Sequence, residues 1–173
     1  MTTIIAVETK KTVIVGTDTQ STSYKKSNYP ESEGKIVQNG PYVLASAGRA
    51  RMNQELKYAD LPEPPTDPAL LERFMATDFI DTLKELTEKA GCQLGENVYI
   101  VVVGGRVFEY NVDFNLAKSS NGVYTIGSGS SWAEGYLAGL DKITVRDVES
   151  ALKAAAKNDP YSSGPFRIIE LTR

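Results

Sequence analysis

The chain contains no histidine. That absence removes Ser-His and Cys-His nucleophile pairs and every His-ligated metal site, so a hydrolase built from these residues needs a different base. A single cysteine, Cys92, excludes an internal disulfide and reads as inert packing. No apolar run reaches the ~18 residues that suggest a membrane span. Glu8 and Lys10 interrupt the N-terminal apolar run too early for a signal peptide. A cytoplasmic protein is therefore expected. The net charge is −3, with no basic run, so the electrostatic footprint of a nucleic-acid binder is missing. Neither nucleic acid nor membrane is expected as a partner. What remains, 173 residues of which 41% are hydrophobic and 24% charged, suits one domain over residues 1–173 with room for a layered core.

Periodicity divides that chain into strands, helices, strands, helices and a last strand. Ile4–Glu8 and Thr12–Gly16 are β-rich runs joined by the polar Thr9-Lys10-Lys11. Lys35–Gln38 and Tyr42–Ala47 form a second pair around Asn39-Gly40, a strong hairpin signal. From Gly48 to Tyr58 the pattern turns helical. LPEPPTDP, residues 61–68, reads as a loop in which Asp67 and Pro68 supply an N-cap and a first helical proline. Leu71, Phe74, Met75, Phe79, Leu83 and Leu86 then predict one long helix. Asn97–Val103 and Arg106–Tyr110 predict strands around Gly104-Gly105, and Tyr124–Ile126 another, followed by GSGS and a helix to Leu140. Thr144 to Asp147 has the form of a capping box, and Phe166–Leu171 closes the chain as a strand. Two strand blocks, each followed by helices, predict an α+β fold: two antiparallel sheets face to face with helices outside both, a four-layer α-β-β-α sandwich.

The polar residues each have an ordinary reading beside a chemical one. In MTTIIAV the apolar strand begins almost at once, so removal of Met1 leaves Thr2 carrying a hydroxyl and a free α-amine at a strand end. That is an accident of a short terminus or a nucleophile. Asp18, in GTDTQST, is by itself a turn residue, and Lys35, in EGKIV, a surface charge. Gly48, in SAGRA, relieves crowding at a strand-to-helix junction or presents its amide to a developing oxyanion. GSGSS before a helix is an N-cap with turns, or a phosphate loop, but it lacks the Lys-Ser/Thr ending and the full GxGxxG spacing. DPYSSG, with Asp159 and Ser162, passes alone for a polar loop.

Taken in order, TTI at Thr2–Ile4, GTDTQST at Gly16–Thr22, GKI at Gly34–Ile36, ASAG at Ala45–Gly48, GSGS at Gly127–Ser130 and DPYSSG at Asp159–Gly164 resemble one family. The sequence is similar to proteasome β subunits and to the related bacterial peptidase that serves an ATP-driven unfoldase, both N-terminal nucleophile hydrolases. The resemblance implies a threonine endopeptidase acting on unfolded polypeptide, without metal or cofactor, inside homo-oligomeric stacked rings and with a possible ATP-dependent unfoldase partner. It implies Thr2 as nucleophile with its own amine as base, and Lys35 beneath it held by Asp18. Ser128, Asp159 and Ser162 then surround the amine, and Gly48 is the oxyanion donor. Thr22, Ser46 and Ala50 are implied on the substrate side. Arg49-Ala50-Arg51-Met52 departs from the small and acidic residues usual after the family's oxyanion glycine. A non-catalytic ring subunit and a small-molecule amidase of the same fold are the alternatives.

Overall fold

The computed structural model describes residues 2–21, 29–30, 35–93 and 95–173. In chain order its elements are β1 (Thr3–Glu8), β2 (Thr12–Thr17), β3 (Gln20–Ser21), β4 (Tyr29–Pro30), β5 (Ile36–Asn39), β6 (Tyr42–Ala47), α1 (Arg51–Tyr58), α2 (Leu71–Ala76) and α3 (Asp78–Lys89). They continue with β7 (Val98–Val103), β8 (Arg106–Tyr110), β9 (Leu116–Ala117), β10 (Val123–Gly127), α4 (Ser130–Leu137), α5 (Val145–Asn158) and β11 (Arg167–Thr172).

Side-chain alternation along β1 shows how the layers arise. Ile4 and Ala6 point one way, into a core shared with Val13 and Val15 of β2 and with Val43, Ala45, Ile100 and Val102 of the other sheet. Ile5 and Val7 point the opposite way, into a second core with Leu137 of α4 and Val148, Ala151 and Leu152 of α5. Beyond the second sheet, Leu44, Tyr99, Val101 and Tyr110 meet Met52 and Leu56 of α1 and Phe79 and Leu83 of α3. Helix, sheet, sheet and helix are thus stacked in that order. One large sheet runs β10-β1-β2-β11 and the other β5-β6-β7-β8-β9, while β3 and β4 pair separately, and every neighbouring pair is antiparallel. The expected four-layer α-β-β-α sandwich is the observed one. No described helix is long and apolar enough to cross a membrane.

Local chemistry explains where the elements begin and end. The β1–β2 turn is closed by Thr9, whose Oγ1 donates to the Thr12 carbonyl at 2.9 Å and accepts the Thr12 N–H at 2.9 Å. Thr144 and Asp147 form the expected capping box at the start of α5. The single long helix expected from Leu71 onward is instead two. Thr77 breaks it with φ −125° and ψ −83°, while its Oγ1 donates to the Arg73 carbonyl at 2.9 Å. Such hydroxyl-to-backbone bonds compete with the helical ladder, and Asp78 and Asp81 then favour the N-terminus of a new helix. Asp67 does not cap α2. Its carboxylate accepts the Ala69 N–H in a turn ahead of the helix. The first helix begins at Arg51, three residues beyond Gly48, and α4 stops at Leu137.

Candidate active site

The site forms where the first residues of the chain are gripped by both ends of the fold. Thr3 pairs with Gly127 of β10. Its N–H donates to Asp18 Oδ1 at 2.8 Å, and the Asp18 N–H returns to the Thr3 carbonyl at 3.2 Å. Gly127 sits at φ +97°, and a Cβ there would lie 2.0 Å from the Thr2 carbonyl oxygen, so the close approach of the terminus requires glycine.

Asp18 is fully buried, just past the end of β2. Three donor groups make four hydrogen bonds to it: Lys35 Nζ reaches both carboxylate oxygens, at 2.8 and 2.9 Å, and the Thr3 and Gln20 N–H groups complete the set. Burial pushes the Asp18 carboxyl above its ordinary value, and the Lys35 charge with these hydrogen bonds pulls against that shift. Lys35 is itself buried and lines a cavity of about 400 Å³ with Thr2, Gln20, Ser46, Gly48 and Ala50. The surface lysine of the ordinary reading is therefore an interior ion pair beside the terminus.

On the other side of Thr2 runs a chain of hydroxyls. The Thr2 N–H donates to Ser128 Oγ at 3.3 Å, and Ser128 Oγ donates to Asp159 Oδ2 at 2.6 Å. Ser162 Oγ donates to the same oxygen at 2.8 Å and lies 2.6 Å from Thr3 Oγ1. A hydroxyl has one proton, so Ser162, which gives its own to the carboxylate, accepts from Thr3. By the same count Ser128 presents lone pairs to the Thr2 nitrogen. Burial pushes the Asp159 carboxyl up, but the hydrogen bonds from Ser128, the Tyr161 N–H and Ser162 outweigh it and hold it below the ordinary value. Asp159 follows α5 directly, and the Ser162 N–H donates back to its carbonyl, so the DPYSSG loop is a turn built to aim these groups.

Gly48 follows β6 at φ +141° and lines both the first cavity and a second of about 250 Å³, which also contains Thr2, Asn97 and Ser128. A Cβ at Gly48 would lie 2.2 Å from the Glu96 carbonyl oxygen. Gly48→Ala is accordingly expected to cost at least ~2 kcal/mol through strain and displacement of the loop, read as a lowered unfolding midpoint in thermal melts.

Thr2, Asp18, Lys35, Gly48, Ser128, Asp159 and Ser162 are therefore brought together. Ser46 and Ala50 line the first cavity, where Ser46 Oγ donates to Asn53 Oδ1 at 2.9 Å. Thr22 lies outside the described residues. Three neighbours carried no signal in the sequence: Thr3, which joins the hydroxyl chain; Glu96, which accepts both Nε and Nη2 of Arg49 at 3.2 Å; and Asn97. The Asn97 Oδ1 accepts the Arg49 N–H at 3.4 Å, and its Nδ2 is buried without a hydrogen-bond partner among the described residues. Such an orphaned donor costs ~1–3 kcal/mol.

No family model and no curated protein matches the sequence. Solved structures do match it, over nearly the whole of this chain. BPH from Thiobacillus denitrificans, in complex with epoxomicin, superposes with a TM-score of 0.76 at 19% identity, covering 98% of each chain. Eukaryotic HslV from Trypanosoma brucei gives 0.66 at 19% identity and 99% coverage of each chain. An Anbu (Gly-1) mutant from Hyphomicrobium sp. strain MC1 gives 0.73 at 15% identity, over 100% of this chain and 82% of the other. The fold is the four-layer α-β-β-α sandwich of these solved structures. At these identities the likeness is one of architecture.

Proposed function

We propose that the chain is a threonine endopeptidase whose nucleophile is Thr2, freed by removal of Met1. The observation that carries the reading is the convergence of Lys35 and of the hydroxyls held by Asp159 on Thr2. Ser128 gives its proton to Asp159 and accepts one from the Thr2 nitrogen, which is an amide N–H until Met1 is removed. Once Met1 is removed the same nitrogen is an amine, and in its neutral form it can donate to Ser128 and keep its lone pair for the Thr2 hydroxyl; an α-amine has a reference pKa near ~8, close to neutral pH. The Lys35 charge, in the same cavity as Thr2, disfavours a second positive charge and so favours the neutral amine.

In this mechanism the amine takes the Thr2 Oγ proton as the oxygen bonds to the substrate carbonyl carbon. The carbonyl oxygen becomes an oxyanion facing the Gly48 N–H, with Lys35 supplying positive potential. The C–N bond then breaks, the proton passes from the ammonium to the leaving nitrogen, and an ester to Thr2 remains. Water, deprotonated by the same amine, attacks that ester; the acyl C–Oγ bond breaks, the ammonium returns the proton to Thr2 Oγ, and the acid product leaves. Support comes also from the shared architecture and from BPH, a neighbour of this fold that binds epoxomicin.

Intact mass spectrometry of an active preparation tests the assignment. The active species is expected to lack Met1, and peptidase activity in a sample that wholly retains Met1 would remove Thr2 from the role.

The proposal extends to closed, paired rings, since an unselective peptidase needs restricted access to spare folded proteins. Tyr58, Leu70, Trp132 and Tyr136 are exposed apolar groups that such contacts would cover. Light scattering coupled to size exclusion is expected to show a multiple of the 18.9 kDa chain. A fully active monomer would favour a small-molecule amidase. Small peptides are expected to be cut unaided, and folded proteins only with an ATP-dependent unfoldase.

A further inference from the structure

In the larger cavity beside Thr2, of about 400 Å³, Ala50 is the one described lining residue with a purely hydrocarbon side chain. Apolar burial is therefore a weak basis for choosing among substrate side chains, and charge and hydrogen bonding are the stronger one. The charges on the described lining do not balance. Lys35 and Arg49 are cations, and Glu96 is the single anion. Asp18, which pairs with Lys35, is fully buried and is not part of that lining.

The hydrogen-bonding groups are also weighted toward donors. Arg49 commits Nε and Nη2 to Glu96, at 3.2 Å each, and its Nη1 has no acceptor among the described residues. Asn53 accepts the Ser46 hydroxyl on Oδ1 at 2.9 Å, which leaves Nδ2 as the remaining half of its amide, and that donor too lacks an acceptor among the described residues. Both atoms can be reached. The Arg49 side chain is 58% exposed. Among the described residues the one unpartnered side-chain atom sealed from solvent is Asn97 Nδ2, so Asn53 Nδ2 is open to the cavity it lines. Arg49 and Asn53 stand four residues apart across the turn that opens α1, where the Met52 N–H donates to the Arg49 carbonyl at 3.1 Å.

Thr2, Lys35 and Gly48, which act on the substrate carbonyl in the proposed reaction, line the same cavity. The side chain nearest that carbonyl carbon is the one on the Cα bonded to it, which belongs to the residue on the acyl side of the cut. We infer that Arg49 and Asn53 select a carboxylate-bearing side chain, glutamate foremost, at that position. The inference rests on the peptidase reading. A carboxylate accepts from Arg49 Nη1 and Asn53 Nδ2, and its charge makes those bonds stronger than the ones a neutral amide would form. A lysine would bring a further positive charge and no acceptor. Such a bias ranks the cutting sites along an unfolded chain without sparing any protein.

Peptide aminocoumarin amides that differ only in the acyl-side residue (glutamate, glutamine, alanine, leucine or lysine) test this, because the leaving group is constant. The wild-type protein is expected to cleave the glutamate peptide with a kcat/KM about tenfold above that of the leucine and lysine peptides. Asn53→Asp keeps an acceptor for the Ser46 hydroxyl, replaces the donor with a negative charge, and falls in the first turn of α1, where an acid is well tolerated. It is expected to reverse the order and place lysine above glutamate. Arg49→Gln is expected to lower the glutamate-to-alanine ratio about tenfold, and Glu96→Gln, which releases Arg49, to raise it. Should Asn53→Asp fail to fold, the opposite shifts at 49 and 96 still decide. A wild type that favours leucine or lysine overturns the inference and leaves the peptidase standing, as do variants that change the rates on all the peptides by one factor. If the wild-type protein cleaves none of them, the peptidase reading falls and this inference with it.

Discussion

Thr2→Ala is expected to lower peptidase turnover by at least ~10³-fold while leaving the fold and its assembly intact. The loss is large because the substitution removes the atom that forms the acyl bond; the sequence holds no histidine, and among the described residues the neighbouring hydroxyls are engaged elsewhere. Ser128 and Ser162 are both committed as donors to Asp159, which leaves each an acceptor for its other neighbour. Thr3 Oγ1 is tied to Ser162 and fully buried. The change in stability should stay near ~1 kcal/mol, the scale of one small side chain, since the backbone contacts that anchor the terminus run through Thr3 and Gly127. Steady-state hydrolysis of a fluorogenic peptide, thermal melts and light scattering on one preparation separate the three effects. Wild-type turnover in Thr2→Ala would bring the non-catalytic ring subunit forward.

The parts of the fold that could be read in advance are those set by neighbours in sequence. The Asn39-Gly40 turn, the Thr144–Asp147 box and the alternation of β1 and β2 each depend on residues a few positions apart, and each occurs where expected. The break at Thr77 was hidden because Leu71, Met75, Phe79 and Leu83 keep helical spacing across it, so periodicity alone registers no interruption. The strands β3, β4 and β9 are two residues each, too short for any pattern. Within the site, the motifs that resemble the peptidase family point to the residues that converge. Glu96 and Asn97 were invisible for a topological reason: they reach Gly48 and Arg49 only because Ala47 pairs with Val98 across the sheet. Before that pairing is known, Glu-Asn ahead of a strand looks like an ordinary turn.

The buried pair of Asp18 and Lys35 carries the second large expectation, because it couples stability to chemistry. Lys35→Met is expected to abolish peptidase activity and also to destabilise the fold by about 3–5 kcal/mol, since it leaves a fully buried carboxylate without its cation. A fall in activity alone would therefore not show what the lysine does. Adding Asp18→Asn distinguishes the two roles. The amide oxygen still accepts the Thr3 N–H, which lies 2.8 Å from Oδ1, while the amide NH₂ then faces the Gln20 N–H and loses that one contact. The double variant is expected to regain most of the lost stability, within ~1–2 kcal/mol of wild type, because neither charge remains buried. It should nonetheless be inactive, for it has no cation to keep the Thr2 amine neutral or to face the developing negative charge. Urea unfolding and peptide hydrolysis, measured on both single variants and the double, complete the cycle. Activity restored along with stability would mean that Lys35 serves the fold only, and the catalytic assignment would then have to stand on Thr2, Ser128 and Asp159 without it.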